Sequence, residues 1–189
     1  DDLFFRSGGA AGDELLNTTV NSITARLAAN DITINETNDI TLTEVTVTSG
    51  DATVDAGGAI LGGSVSATNL EASAVNGITL DTTVATLTAT NSTTGNITIE
   101  ETSGLTIDGT GVRTLAGSGN INIDVNAAGL TIAALAVVTA HGSGTVTPIA
   151  DIDISQAGGF GMARLSAAAQ GLPALGYVAS LDPDAPDLE

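Results

Sequence analysis

An imperfect repeat in the middle of the chain constrains its fold more than any other feature. Three segments each begin with a turn pair and continue as an apolar, polar, apolar triplet; they are residues 76–80, 95–99 and 119–123. A second triplet of the same kind follows each of them, at residues 87–89, 105–107 and 130–132. Such alternation indicates β-strands, and its recurrence in the same order indicates a repeat architecture.

The spacing of the repeat favours a β-solenoid. The first apolar positions of successive lines lie 17 to 24 residues apart, at Ile23, Ile40, Ile60, Ile78, Ile97 and Ile121. A coil of two or three short strands needs about this length and stacks on the next coil. We therefore predict an all-β fold, a parallel β-solenoid of six to seven coils over residues 21–155. At about 4.8 Å per coil, the rod would be about 30 Å long.

The two ends of the chain do not follow the repeat. We expect residues 1–20 to form an N-terminal cap or docking arm, and residues 156–189 a C-terminal cap or docking tail. The tail would contain a short helix near residues 162–170 and an acidic end with prolines. Three arrangements stay open: head-to-tail association, folding back as caps, and boundaries of an excerpt from a longer solenoid.

All aromatic residues of the chain lie in these ends, and the repeat zone has none. Aromatic side chains often anchor protein contacts, and an open terminal coil needs protection of its strand edges. Seven residues of the ends are therefore our candidates for a junction between subunits: Phe4, Phe5, Arg6, Phe160, Met162, Arg164 and Tyr177.

Threonines recur at positions that alternate with the apolar ones. We predict an outward threonine ladder made of Thr24, Thr41, Thr79 and Thr98. A flat array of threonines would suit ice binding, but the uneven spacing of the repeat would roughen such a face. Threonine also favours exposed strand positions for its own reasons, so ice binding is kept only as an alternative.

The charge balance argues against two classes of partner. The chain has 22 acidic and 4 basic residues, a net charge of −18 and no lysine. Nucleic acids and anionic membrane surfaces need a basic footprint, so neither is an expected partner. No apolar run reaches the length of about 20 residues that spans a bilayer, and we predict no membrane insertion. The absence of cysteine excludes disulfides and thiolate metal sites.

No catalytic motif stands out, and we predict that the protein is not an enzyme. The acidic pairs Glu100–Glu101 and Asp151/Asp153 are expected to lie on solvated faces, and His141 in a loop. No cofactor is predicted. Calcium stays open as a weak alternative because hard cations bind carboxylate oxygens; its candidate ligands are Asp51, Asp55, Asp182 and Asp184.

The lines at residues 76–80, 95–99 and 119–123 resemble the repeats of bacterial filamentous haemagglutinin-type adhesins and related autotransporter passengers, over roughly residues 21–155. The resemblance implies a right-handed parallel β-helix that is secreted to the bacterial cell surface. We therefore expect a structural protein, a subunit or segment of an extracellular filament or adhesin that self-assembles head-to-tail into a fibril. Its expected partners are further copies of itself and surface glycans of host or neighbouring cells. The alternative is a carbohydrate-binding or ice-binding β-solenoid module.

Overall fold

A computed structural model describes residues 1–8 and 12–157 and contains only β-strands and turns in these ranges. In chain order the strands are β1 Asp2–Ser7, β2 Glu14–Thr18, β3 Ser22–Leu27, β4 Ile32–Glu36, β5 Ile40–Val47, β6 Ala52–Ala56, β7 Ile60–Ser66, β8 Asn69–Ala74, β9 Ile78–Thr83, β10 Thr86–Asn91, β11 Ile97–Glu101, β12 Leu105–Thr114, β13 Ile121–Val125, β14 Leu130–Ile132, β15 Val138–Thr139, β16 Val146–Ala150 and β17 Ile154–Gln156.

The strands form two parallel sheets. The first sheet has the order β1-β3-β5-β7-β9-β11-β13-β16, and the second has the order β2-β4-β6-β8-β10-β12-β14-β17, with β15 also paired to β12. One strand from each sheet makes a coil, so the chain forms a β-solenoid of eight coils, which we number from the N-terminus. The predicted parallel β-solenoid is confirmed. At about 4.8 Å per strand, the first and last coils lie about 34 Å apart.

The solenoid has one or two coils more than the sequence predicted, because it extends beyond residues 21–155. β1 and β2 pair in parallel with β3 and β4 and form coil 1 within the segment that was expected to be a cap or arm. Leu3, Phe5 and Leu16 alternate inward there, but they lack the turn pair that marks the other coils. The helix predicted near residues 162–170 lies outside the described residues.

The core consists of apolar rows that run along the solenoid axis. In coils 3 to 8 one such row joins Ile40, Ile60, Ile78, Ile97, Ile121 and Val146. Ile23 does not belong to this row, because it pairs with Leu42. Most of these side chains are fully buried, and each buried Ile or Leu contributes about 1.5–3 kcal/mol. The buried hydrophobic residues of the described ranges are all Ala, Val, Leu or Ile, in line with the scarcity of aromatic residues.

A glycine allows one irregular contact between coils 3 and 4. Gly63 in β7 has a φ of +105°, and a Cβ atom at this position would overlap the carbonyl oxygen of Leu42. The pairing of β5 with β7 shifts register on both sides of this contact. Only glycine combines this backbone angle with so close an approach of a neighbouring strand.

Corner side chains bridge successive coils. Five of them accept a hydrogen bond from a backbone N–H of the following coil: Asp13, Asp31, Asp39, Asn96 and Asn120. The distances run from 2.7 Å for Asp39 to 3.3 Å for Asp13. Asp and Asn suit such corners because their short side chains reach nearby backbone groups.

A proline lies in the last strand of the first sheet. In β13, Ile121 donates its N–H to the carbonyl oxygen of Thr145 (2.8 Å), so the backbone groups of inward residues face the following coil. Pro148 pairs with the inward residue Ile123 and is itself inward and buried. Its missing N–H therefore faces the outer edge of β16, which no strand in the described ranges covers. Proline is tolerated in sheets at such edges.

Candidate functional site

Coil 1 contains the described members of the predicted junction. Phe4 and Arg6 point outward from β1, and 66% of the surface of Phe4 is exposed. Phe5 points inward and packs partly buried against the core. The remaining candidates, Phe160, Met162, Arg164 and Tyr177, lie outside the described residues. The structure thus brings together three of the seven residues, all on one terminal strand.

Arg6 lies beside a second arginine, and only that second arginine forms an ion pair among the described residues. Arg6 pairs in register with Arg26 of β3. Arg26 forms a two-pronged ion pair with Glu44, with Nε to Oε1 at 2.9 Å and Nη2 to Oε2 at 2.6 Å. The hydrogen bond from Arg26 lowers the pKa of Glu44, and the same contact raises the pKa of Arg26. No carboxylate of the described residues forms an ion pair with Arg6.

A buried glutamate fastens coil 1 to coil 2. Glu36 ends β4 and is only 4% exposed. Its Oε2 accepts hydrogen bonds from Thr18 Oγ1 (2.6 Å) and the Val20 N–H (2.9 Å) of the preceding coil. Its Oε1 accepts the N–H groups of the next two residues in its own turn. Burial raises the pKa of Glu36, but the hydrogen bonds from Thr18 and three backbone amides outweigh it, so the pKa lies below the ordinary 4.5.

This lowered pKa predicts an acid-sensitive attachment of coil 1. A carboxyl group with a lowered folded-state pKa stabilises the fold fully above its unfolded-state pKa, and this contribution is lost as the pH falls through the folded-state value. We expect Glu36→Gln to lower the free energy of unfolding by about 1–2 kcal/mol at pH 7, and by progressively less below about pH 4.5. Urea denaturation of both proteins from pH 7 to pH 3 measures this. A difference that does not change with pH would contradict the assignment.

Glu101 is a second glutamate of the same kind, and it is fully buried at 0% exposure. Its Oε2 accepts the N–H of Val84 in the preceding coil (3.0 Å), and its Oε1 accepts both the N–H and Oγ of Ser103 (2.7 Å each). The expectation of a solvated Glu100–Glu101 pair is therefore wrong for Glu101 and right for Glu100, which is exposed. A signal for these residues was present: Ile-Thr-Ile-x-Glu occurs at residues 32–36 and 97–101, with the glutamate at the inward parity.

The predicted threonine ladder is only partly formed. Thr79 and Thr98 pair directly, and the row continues through Asn122 and Thr147. Thr24 pairs instead with Glu44 of β5. Thr41 lies opposite Ser22, and this pairing already holds before the register shift between Ile23 and Thr24. The four threonines therefore do not form one row.

A shallow surface groove of about 410 Å³ lies beside the ends of β2, β4 and β6. It is lined by Asn17, Thr18, Thr19, Asn35, Glu36, Thr37, Asp55 and Gly57. Asn17, Asn35 and Asp55 form one outward row, in which Asn35 Nδ2 donates to Asn17 Oδ1 (2.9 Å). Both carboxylate oxygens of Glu36 are already occupied, so the outward row supplies the groups that a ligand could reach.

The two calcium candidates that the structure describes, Asp51 and Asp55, do not form a metal site. Asp51 accepts a hydrogen bond from Asn69 Nδ2 (2.7 Å), and Asp55 lies in the outward row of the groove. Asp182 and Asp184 fall outside the described part of the chain. Across residues 1–8 and 12–157, no three His, Cys, Asp or Glu side chains are grouped closely enough to hold a metal ion. His141 packs its Nδ1 within 2.9 Å of the Gly117 carbonyl oxygen in a turn.

Comparisons with known proteins give no family for this chain. No protein-family model, no curated protein and no solved structure matches it. A search of the described residues for a helix that is long and apolar enough to cross a membrane finds none.

Proposed function

We propose that the protein is structural: a subunit or segment of an extracellular bacterial filament or surface adhesin, with its contacts at the ends of the rod. The observation that carries this proposal is the unbroken pairing of eight coils in two parallel sheets. Backbone hydrogen bonds run along the rod axis at every coil, so the fold is suited to hold two points a fixed distance apart. The resemblance of its repeats to those of haemagglutinin-type adhesins supports the extracellular bacterial setting.

The distribution of exposed apolar side chains supports contacts at the ends. Among the described residues, the large apolar side chains that are exposed are Phe4 and Leu15 in coil 1, Leu61 in coil 4, and Leu115, Leu135, Val137 and Ile152 from the end of coil 6 onward. Exposed apolar groups that cluster in this way mark interaction surfaces. The middle of the rod has only one of them.

Immunogold electron microscopy of producing cells tests the proposal. Antibodies raised against the 189-residue chain should label fibres or patches outside the cell envelope. A protease added to intact cells should remove the label. Label confined to the cytoplasm, or label that survives protease treatment of intact cells, would show that the protein has another role.

The groove beside β2, β4 and β6 favours one alternative, a carbohydrate-binding module. Amide, carboxylate and hydroxyl groups are suitable partners for sugar hydroxyls, and the groove presents all three. Titration calorimetry with a panel of neutral oligosaccharides tests this role. Binding that Asp55→Ala abolishes, and that a substitution of Leu61 leaves unchanged, would favour it; no heat change with any sugar would argue against it.

A further inference from the structure

The first coil leaves one end of the core uncovered by the described residues. Leu3, Phe5, Leu16 and Val20 pack against the core but stay partly exposed. Phe4 and Leu15 point outward and are 66% and 59% exposed. Two strand edges, those of β1 and β2, end the sheets here. Open edges of this kind readily pair with a further strand.

We propose that this end binds the same end of a second copy of the chain, through antiparallel pairing of β1 with β1 about a two-fold axis. The proposal goes beyond the structural role given above and is independent of the cellular setting. It commits to one partner, the identical coil 1, and to one register, which is centred on Phe4.

The hydrogen-bond pattern shows which groups face the open edge. Ala28 donates its N–H to the carbonyl oxygen of Ser7 (3.2 Å), so the inward residue Ser7 is bonded to coil 2. Backbone groups of alternate residues in a strand face opposite neighbours. The outward residues Asp2, Phe4 and Arg6 therefore direct their N–H and C=O groups to the open edge.

The side chains of β1 in one copy are complementary to those of β1 in a second copy when the two strands run antiparallel. When Phe4 lies opposite Phe4, Asp2 of each copy lies opposite Arg6 of the other, and Leu3 lies opposite Phe5. Each Arg6, which has no ion-pair partner among the described residues, then gains a carboxylate. Asp2 uses its Oδ1 to accept a hydrogen bond from Ser22 Oγ (2.6 Å), which leaves Oδ2 for this contact. Opposite charges and aromatic pairs are favourable across neighbouring strands.

The same axis also pairs the second sheet. A two-fold axis perpendicular to both sheets places β1 against β1 and β2 against β2, and it keeps inward faces inward. Pairing of β2 centred on Leu16 sets Leu15 opposite Asn17. The contact therefore covers the exposed Leu15 and completes the open end of the core with apolar groups from both copies.

The opposite end of the rod is a poorer partner for coil 1. Pro148 lacks the N–H that a strand beyond β16 would need. β15 and β17, which end the second sheet, contain only two and three residues, and short edge strands hinder addition of another strand. If the C-terminal end of the rod bound coil 1, Asp151 and Asp153 would also come close to Asp1 and Asp2 of coil 1, and these like charges would repel each other.

A single introduced cysteine distinguishes pairing of coil 1 with coil 1 from head-to-tail association. The chain has no cysteine of its own, so the introduced thiol is the only one that can form a disulfide. Opposite residues in a hydrogen-bonded antiparallel pair have Cα atoms about 5.5 Å apart, which a disulfide can bridge. We expect Phe4→Cys to form disulfide dimers under mild oxidation. Leu61→Cys, a similarly exposed apolar position at mid-rod, should stay monomeric. Equal cross-linking of both variants, or none at position 4, would overturn the proposal, since head-to-tail contacts keep two such thiols about one rod length apart.

Sedimentation equilibrium of the full chain tests the charge pairing. The unsubstituted chain should associate at least to dimers. Arg6→Asp should raise the dissociation constant about tenfold or more, and the exchanged variant Asp2→Arg/Arg6→Asp should restore dimerisation. Circular dichroism of each variant confirms that the fold is retained. A monomeric chain, or an exchanged variant as weak as the single one, would refute the contact.

Discussion

Gly63→Ala is expected to lower the free energy of unfolding by about 3–5 kcal/mol. We expect no larger effect from any substitution that leaves all existing side-chain contacts in place. Two costs add. A non-glycine residue at φ +105° is strained by about 1–3 kcal/mol, and the new Cβ overlaps the Leu42 carbonyl oxygen, which forces a backbone shift that costs about 1–3 kcal/mol. Urea denaturation followed by far-ultraviolet circular dichroism measures the loss.

The neighbouring Gly62 separates these two costs. Its φ is +145°, but no atom lies within 4 Å of the position of an added Cβ. Gly62→Ala should therefore show only the backbone strain, about 1 kcal/mol. If the two substitutions destabilise the protein equally, the close approach of the Leu42 carbonyl is not what requires glycine at position 63.

Glu101→Ala is expected to lower the free energy of unfolding by about 2–4 kcal/mol. The substitution leaves the N–H groups of Val84 and Ser103 without the acceptor they have now, and each buried unsatisfied donor costs about 1–3 kcal/mol. Thermal and urea denaturation at pH 7 provide the measurement. The result would show that coils 5 and 6 are joined by a buried carboxylate as well as by backbone pairing.

The adjacent Glu100→Ala is the matched control. Glu100 has the same side chain but is exposed, and in its row it lies between Asp81 and Asp124. Removal of one like charge from this row should change stability by less than about 0.5 kcal/mol or increase it slightly. Comparable losses for Glu100→Ala and Glu101→Ala would mean that the buried hydrogen bonds do not account for the effect.

The sequence predicted the architecture well because the period of the apolar residues is a direct consequence of strand geometry. The turn pair followed by a triplet located coils 5 to 7 without any structural information. Coil 1 was missed because Leu3, Phe5 and Leu16 alternate without a recognisable turn. The threonine row failed because the prediction aligned Ile23 with Ile40, whereas Ile23 pairs with Leu42. An offset of two residues keeps the same side chains inward but gives them different neighbours, so the apolar pattern alone does not reveal it.

The buried glutamates could not be assigned from residue type alone. Glutamate is among the residues least often buried, and the default interpretation of Glu101 was a solvated side chain. Its burial depends on three donors that converge at the strand end, two of them backbone groups of turns. The alternation in Ile-Thr-Ile-x-Glu predicts that the glutamate side chain points inward. Only the positions of the turns show which N–H and O–H groups donate hydrogen bonds to its carboxylate.

The direction of the corner hydrogen bonds bears on the order in which the rod is built. At Asp31, Asp39 and Asn120 the acceptor belongs to the earlier coil and the donor to the later one. A chain that folds from its N-terminus therefore adds each of these coils to an acceptor already in place. Glu36 and Glu101 then bind backward onto the coil before them. Because each coil of a solenoid contacts only its neighbours, folding can start at any coil and spread along the rod, and growth toward the C-terminus meets these acceptors already in place.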